Sequence, residues 1–215
     1  MAGDVIDTKG ALIEAAGELF ADHGFAKTTI RDIAQKAGAN IAAIHYHFGG
    51  KENLYTEVLR HILLQSEVCT ARRLLAEGEC FKTPEGMAGA VCKLIHDHFE
   101  AFFPLNEPEW WTRLVMRSLL EPTPQVEAVM RQVMLPEHAA KVEILRRFNP
   151  LLTEKEAQMW ALSLDSQIVI YIFGKYPILL ALEMEQYSRE FLIDAERHAC
   201  RVMLGALGLP LPWKE

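Results

Sequence analysis

Four cysteines in 215 residues, Cys69, Cys80, Cys92 and Cys200, stand scattered and form no CxxC pair. That excludes a disulfide-dense secreted scaffold and a structural zinc ribbon, and it fits a cytosolic chain with reduced thiols. Long apolar runs are missing too. The longest, residues 168–173, falls far below the roughly 18 residues of a membrane span, so no membrane partner is expected. The first eight residues carry Asp4 and Asp7 without a basic cluster, so no secretory signal is expected. Basic charge is the minority sign: 22 Lys and Arg stand against 29 Asp and Glu, a net −7. A general polybasic coat for nucleic acid is thereby excluded, although a local patch is not. There is no P-loop, Rossmann glycine pattern, nucleophile elbow or HExxH, so no enzyme activity and no cofactor are expected. No alternating strand pattern of useful length, no internal repeat and no low-complexity linker interrupts the chain.

What is present is helical periodicity. The length allows one large domain or two smaller ones, with a core that needs no cross-links. Leu12, Ala16, Leu19 and Phe20 make one apolar helix face, which stops at His23-Gly24. Thr28 and Thr29 offer N-cap hydroxyls for a short second helix with Ile30, Ile33, Ala34 and Ala37 inward. Gly38 ends it. A third helix follows at once, with Ile41, Ile44 and Phe48 inward, and Gly49-Gly50 closes it. Lys51 opens a long fourth helix carrying Leu54, Tyr55, Val58, Leu59, Ile62 and Leu63. Farther on, prolines divide further helices near 85–103, 107–120, 123–148, 153–174 and 185–207. The fold class is all-α: an N-terminal three-helix unit, then a larger helical bundle.

Two short helices around a tight glycine turn suggest a helix-turn-helix, in which the first helix braces the second for the major groove. With Ile41, Ile44 and Phe48 inward, Asn40, Ala43, Tyr46 and His47 point away, Ala42 lies at the flank and His45 at the edge of the buried side. Ala42 and Ala43 permit close approach and contact with a thymine methyl, and Asn40 suits an adenine edge. Tyr46 and His47 can donate to phosphates. Lys51, and likewise Thr28 and Thr29, stand at helix N-termini where phosphates meet backbone N–H groups, and Arg31 lies one turn in. Residues 25–51 hold Lys27, Arg31, Lys36 and Lys51 against Asp32, a local excess of three positive charges on an acidic chain.

The stretch FADHGFAKTTIRDIAQKAGANIAAIHYHFGGKENLY, within residues 15–55, closely resembles the DNA-binding domain of the TetR family of bacterial regulators. The resemblance rests on Phe-x-x-x-Gly-Phe, Thr-Thr-Ile-x-x-Ile-Ala, the Ala-Gly turn, Tyr-His-Phe and Lys-Glu-x-Leu-Tyr, in that order. It implies a homodimer reading a palindromic operator on double-stranded DNA, with Thr29, Arg31, Asn40, Ala43, Tyr46, His47 and Lys51 in contact. His45 departs from the Tyr that members commonly place there. Farther along, Met116-Arg117, Glu121-Pro122-Thr123-Pro124, VMLPEHAAKVEIL and the Phe-Gly-Lys of residues 167–180 resemble the CecR-like subgroup. On this reading residues 1–52 are the DNA-binding domain, and residues 53–215 bind an effector and dimerise.

The helix near 153–174 is apolar almost all round. Trp160, Ala161, Leu164, Ile168 and Ile172 form one face, and Leu162, Val169, Ile170 and Phe173 another. The last helix shows Tyr187, Phe191, Ala195, His198 and Val202 on one side and Leu192, Ala199, Met203 and Ala206 on the other. Burying both faces calls for an intersubunit four-helix bundle through these last two long helices, or for more helices of the same chain. A small-molecule effector pocket would draw on Phe99, Phe102, Trp110, Trp111 and Met116, with His98, Arg113, Arg117, Gln167 and Tyr171 as its polar groups. The aromatics are equally suited to plain core, and His98 to a satisfied core histidine. Arg117 either pairs with Glu121 four residues on or meets an acidic effector. Cys92 and His96, also four apart, lack evident further ligands for a metal. Two functions remain: a repressor released from its operator by an effector, and a ligand-binding or metal-sensing protein whose effector promotes DNA binding.

Overall fold

The computed structural model describes residues 7–65, 70–78, 82–103 and 108–213; Cys69, Cys80 and Pro104 lie outside them. The described residues form helices and no strand, as the all-α reading expects. Two compact units emerge, one from Met1–Gln65 with Asn106–Val133, the other from Ser66–Leu105 with Met134–Glu215.

The first unit holds α1 (Thr8–Lys27), α2 (Ile30–Lys36), α3 (Ile41–Phe48), α4 (Lys51–Gln65), α7 (Trp110–Leu120) and α8 (Pro124–Val129). α1 breaks where the sequence says it must. Gly24 sits at φ 79°, ψ 165°, a backbone region that a Cβ disfavours. The core between α1 and the next three helices is Leu12, Ala16, Phe20, Ile33, Ile44, Leu54, Val58 and Leu59. Phe20, Phe25 and Tyr55 knit it, the Phe20 and Tyr55 rings meeting edge-on at 4.8 Å. α7 lies against α1 because Gly17 leaves room for the Trp110 ring. The Trp110 N–H donates to Glu14 at 3.2 Å, and Arg113 pairs with Asp22 at 3.0 Å. α8 packs on α4.

The second unit holds α5 (Thr70–Glu77), α6 (Pro84–Phe102), α9 (Leu135–Phe148), α10 (Glu154–Phe173), α11 (Lys175–Ala181) and α12 (Arg189–Leu207). α10 packs on α6 and α9, α5 on α9, and α12 on α6. Unusually for a core, it buries charge. Glu137 accepts from the Ala71 and Arg72 backbone N–H groups and from the Arg72 side chain. Asp97 accepts from Thr70 at 2.5 Å and from Lys93 at 2.9 Å, and Lys141, 3% exposed, pairs with Asp165. Each buried charge is thus partnered, as a low dielectric requires.

The helix expected over 123–148 is broken by a π-helical turn, Met130–Met134. Pro136 follows at the start of α9 and has no N–H to continue the ladder. α11 was not expected as a separate helix: Pro177 fits its first turn, where a missing N–H costs nothing. The helix expected from about 185 starts at Arg189, capped by the Ser188 hydroxyl. On α12 the buried row is Ala195, Ala199, Cys200, Met203 and Leu204. His198 and Val202 therefore do not share a face with Ala195 and instead meet solvent.

Candidate nucleic-acid interface

α2 and α3 are each set by local chemistry. Thr29 caps α2 in a capping box: its hydroxyl takes the Asp32 N–H, and the Asp32 carboxylate takes the Thr29 N–H and hydroxyl. Those bonds hold the Asp32 carboxyl below its ordinary range. Asn40 caps α3, its side-chain oxygen accepting from the Ala42 N–H at 2.9 Å. Gly49, left-handed at φ 76°, ends α3 and lets α4 start two residues later.

The outward side of α3 is an aromatic and imidazole surface. Ile44 and Phe48 are buried, while Tyr46 is 85% exposed and His45 and His47 stand beside it. The Tyr46 and His47 rings meet edge-on at 5.0 Å. The ammonium of Lys51, at the start of α4, lies 4.3 Å over the centre of the Phe25 ring, a cation–π contact, and the residue stays half-exposed. Arg31 on α2 is exposed, whereas Lys36 is tied to Glu18 of α1 at 2.5 Å.

Several expected positions move. Thr28 is buried, 2% exposed, and its hydroxyl donates to the Leu19 and Gly24 carbonyls at 3.1 and 2.9 Å. Its side chain braces the kink of α1 and is not offered to a ligand. The Thr29 hydroxyl is spent on the capping box. Asn40 accepts the Ala42 N–H on its side-chain oxygen, which orients the exposed side chain and leaves it a second lone pair and its amide N–H groups. Ile41 is 38% exposed rather than inward. Ala42 and His45 face solvent, while Ala43 is half-buried, so the presented face is turned by about one residue from the expected one. His45 was passed over as an edge residue. Its signal lay in the spacing: it is four residues from Ile41, and the two share one exposed side.

The expected effector residues divide between the units. Trp110, Trp111, Arg113, Met116 and Arg117 belong to α7 in the first unit, where Trp110, Arg113 and Arg117 meet α1. Arg117 reaches Glu121 at 3.6 Å, and a Cβ on Gly24 would stand 2.7 Å from its Nη1. Trp111 lies 5.6 Å from the His61 ring. His98, Phe99, Phe102, Gln167 and Tyr171 belong to the second unit. There Phe99 and Tyr171 pack at 5.5 Å, and Tyr171 continues into Tyr187 and Phe191. The Gln167 amide donates to the Ser163 carbonyl at 3.2 Å. His98 is buried, with Nδ1 2.6 Å from the Leu94 carbonyl and Nε2 3.4 Å from Asp165. Burial first, then the Lys141 ammonium, pull its pKa below the ordinary value, against the raising effect of Asp165 and Asp97. Lys141 and Asp165 went unremarked in the sequence, although a lysine amid Ala140, Val142, Ile144 and Leu145 is a legible anomaly. A groove of ≈ 380 Å³ bordered by Leu19, His23, Thr28, Asp32, Gln35 and Lys36 lies beside α2 and includes none of the expected effector residues.

Comparisons with known proteins agree with this architecture. Residues 12–58 match the family model of bacterial regulatory proteins, tetR family. Residues 91–207 match the C-terminal domain of the HTH-type transcriptional dual regulator CecR. The chain is 28% identical over 192 residues to CecR of Shigella flexneri, covering 85% of this chain and 83% of that protein. It is 41% identical over 63 residues to the HTH-type transcriptional repressor KstR2 of Mycobacterium tuberculosis. That match takes in 29% of this chain and 32% of KstR2, about a third of the relative's length. Among solved structures, the fatty acid degradation regulator FadR of Bacillus halodurans superposes with a TM-score of 0.66 at 16% identity, covering 95% and 98% of the two chains. SmeT, the repressor of the Stenotrophomonas maltophilia multidrug efflux pump SmeDEF, gives 0.62 at 21% identity, covering 92% and 89%. At such identities the two structures establish the fold alone.

Proposed function

The chain belongs to the tetR family of bacterial regulatory proteins, and from that premise we propose that it is a ligand-responsive transcriptional repressor, released from a palindromic operator by a small molecule. The observation that carries this is the exposed Ala42, His45, Tyr46 and His47 face of α3, backed by buried Ile44 and Phe48. Such a face fits a major groove, with Ala42 against bases and the half-exposed Ala43 at the margin. Tyr46, His47, Arg31 and Lys51 meet phosphates. Thr29 and Asn40 act through the helix starts they cap. Functionally, residues 1–52 read DNA and residues 53–215 bind the effector and dimerise, in the cytoplasm where the operator lies.

Two features support a homodimer through α10 and α12. Palindrome reading needs two recognition helices about 34–36 Å apart. And α10 keeps Met159, Leu162, Val169, Ile170 and Phe173 exposed after packing its other face. The effector site draws on the second unit, where Phe99, Phe102 and Tyr171 supply apolar walls beside His98, Gln167 and the Lys141–Asp165 pair. An effector that prefers one dimer geometry shifts the recognition-helix spacing, with α4 carrying the change. The CecR relative is named a dual regulator rather than a repressor alone, and a second reading has the effector strengthen DNA binding.

The test is selection of random duplex DNA by the purified protein, with a salt titration. An enriched palindrome, bound less tightly as salt rises, supports the regulator. Absence of enrichment by folded protein at low salt removes it. Candidate effectors then act on that operator: release supports the repressor, and tightening supports the second reading.

A further inference from the structure

We propose that Cys92 and Cys200 are a reversible thiol–disulfide pair that reacts with hydroperoxides, a modification site independent of the DNA-binding reading. α6 and α12 run antiparallel, and two levels of contact fix their register. Arg189 reaches Glu100 at 2.6 Å, and His96 Nδ1 meets Glu196 at 3.1 Å. One turn farther on, the same register sets Cys200 of α12 beside Cys92 of α6. Cys92 is one helical turn before His96 and Cys200 one turn after Glu196, so the packing that joins the second pair brings the thiols together. The buried face of α12 beside them contains Ala195 and Ala199, whose small side chains let the helices approach closely. Among the described residues no three Cys, His, Asp or Glu side chains converge as a metal site, so thiol chemistry is what this pair offers.

The two thiols are unequal. Cys92 is half-exposed and reachable, while Cys200 is buried. A hydrogen bond from Cys200 holds the Cys92 thiol below its ordinary pKa, against burial and the Glu196 carboxylate. The same bond, with burial, pushes Cys200 up. Cys92 is therefore the attacking thiolate and Cys200 the resolving thiol. The Cys92 sulfur attacks a peroxide oxygen and the O–O bond breaks, giving Cys92 sulfenic acid and an alcohol, or water from hydrogen peroxide. The Cys200 sulfur then attacks the sulfenic sulfur. The S–S bond forms, the S–O bond breaks, and water leaves with the Cys200 proton. Two thiols have lost two electrons and two protons, and the hydroperoxide has been reduced.

Peptide mapping of the full native chain tests this directly. Tryptic cleavage places Cys92 in residues 83–93 and Cys200 in residues 198–201, apart from Cys69 and Cys80. After treatment with hydrogen peroxide, the expected result is a cross-linked pair of these two peptides, lighter by two hydrogens than their sum. Both cysteines should become inert to maleimide, and dithiothreitol should restore them. In Cys200→Ser the Cys92 peptide should instead be trapped by dimedone as the sulfenic acid. Three results overturn the proposal: both thiols still alkylated after peroxide, Cys92 bridged to Cys69 or Cys80 instead, or Cys92 driven to sulfinic acid while Cys200 stays free.

Discussion

Lys51 holds its place through two neighbours of different kinds. The Phe25 ring lies under its ammonium, and the Gly49-Gly50 turn sets it at the opening of α4. Its ammonium is left to meet a phosphate, which carries no sequence information. Lys51→Ala is thus expected to weaken operator and random DNA alike and to flatten the plot of log affinity against log salt by about 0.9, one phosphate contact. A filter-binding titration over several salt concentrations reads both. His98 gives a pH prediction. Its folded pKa lies below the ordinary 6.5, because burial and Lys141 disfavour the imidazolium. The neutral ring contributes its full stability above the unfolded pKa. That contribution is lost as pH falls through the folded value, since the unfolded chain takes up a proton the folded one refuses. Chemical denaturation of the wild type and His98→Asn at several pH values should show a shallower loss of stability below about pH 6.5 in the variant.

At the level of elements, the join between α1 and α7 depends on one missing methyl group. A Cβ at Gly17 would stand 2.2 Å from the Trp110 ring, which is pinned by its bond to Glu14. Alanine is the better helix former by about 1 kcal/mol, but the ring cannot yield without dragging α7 off α1. Gly17→Ala is expected to destabilise the first unit by about 1–3 kcal/mol net, read as a lower midpoint in thermal or urea unfolding. The short helices α2 and α3 have no such dependence on distant chain. Thr29 with Asp32, and Asn40 with the Ala42 N–H, start them from within three residues. That is why their boundaries were legible in the sequence, while the π-helical turn before Pro136 and the separate helix α11 were not. Each of those depends on how several neighbouring turns pack, and no local residue pair announces it.

For the whole molecule, the open question is what covers α10. One face, with Ala157, Ala161, Leu164, Ile168 and Ile172, is buried within its own unit. The opposite face leaves Ile170 56% exposed beside Leu162, Val169 and Phe173. Exposed apolar side chains gathered on one helix face mark an interface. Ile170→Glu should keep the helical fold, because the side chain lacks close packing in the single chain, yet convert a dimer to monomers. Light scattering with size exclusion measures that directly, and operator binding should fall with it. An unchanged dimer would place the subunit contact elsewhere.

Short-range chemistry made some features readable without coordinates. The all-helical class, the helix-turn-helix, the glycine stops and the two-faced α10 follow from periodicity and from caps that act over three or four residues. Packing between distant segments decided the rest. Thr28 looked like a cap until the kink at Gly24 buried it against the Leu19 and Gly24 carbonyls. Asn40 reads in the sequence as a base contact, and the fold shows that its oxygen also caps α3. The ten residues expected to line one pocket fell into two compact units, because Gly17 draws Trp110 and the rest of α7 onto α1. Cys92 and Cys200, 108 positions apart, became neighbours only through the antiparallel register of α6 and α12. A chain records which side chains it can bury, and tertiary packing selects which of them meet.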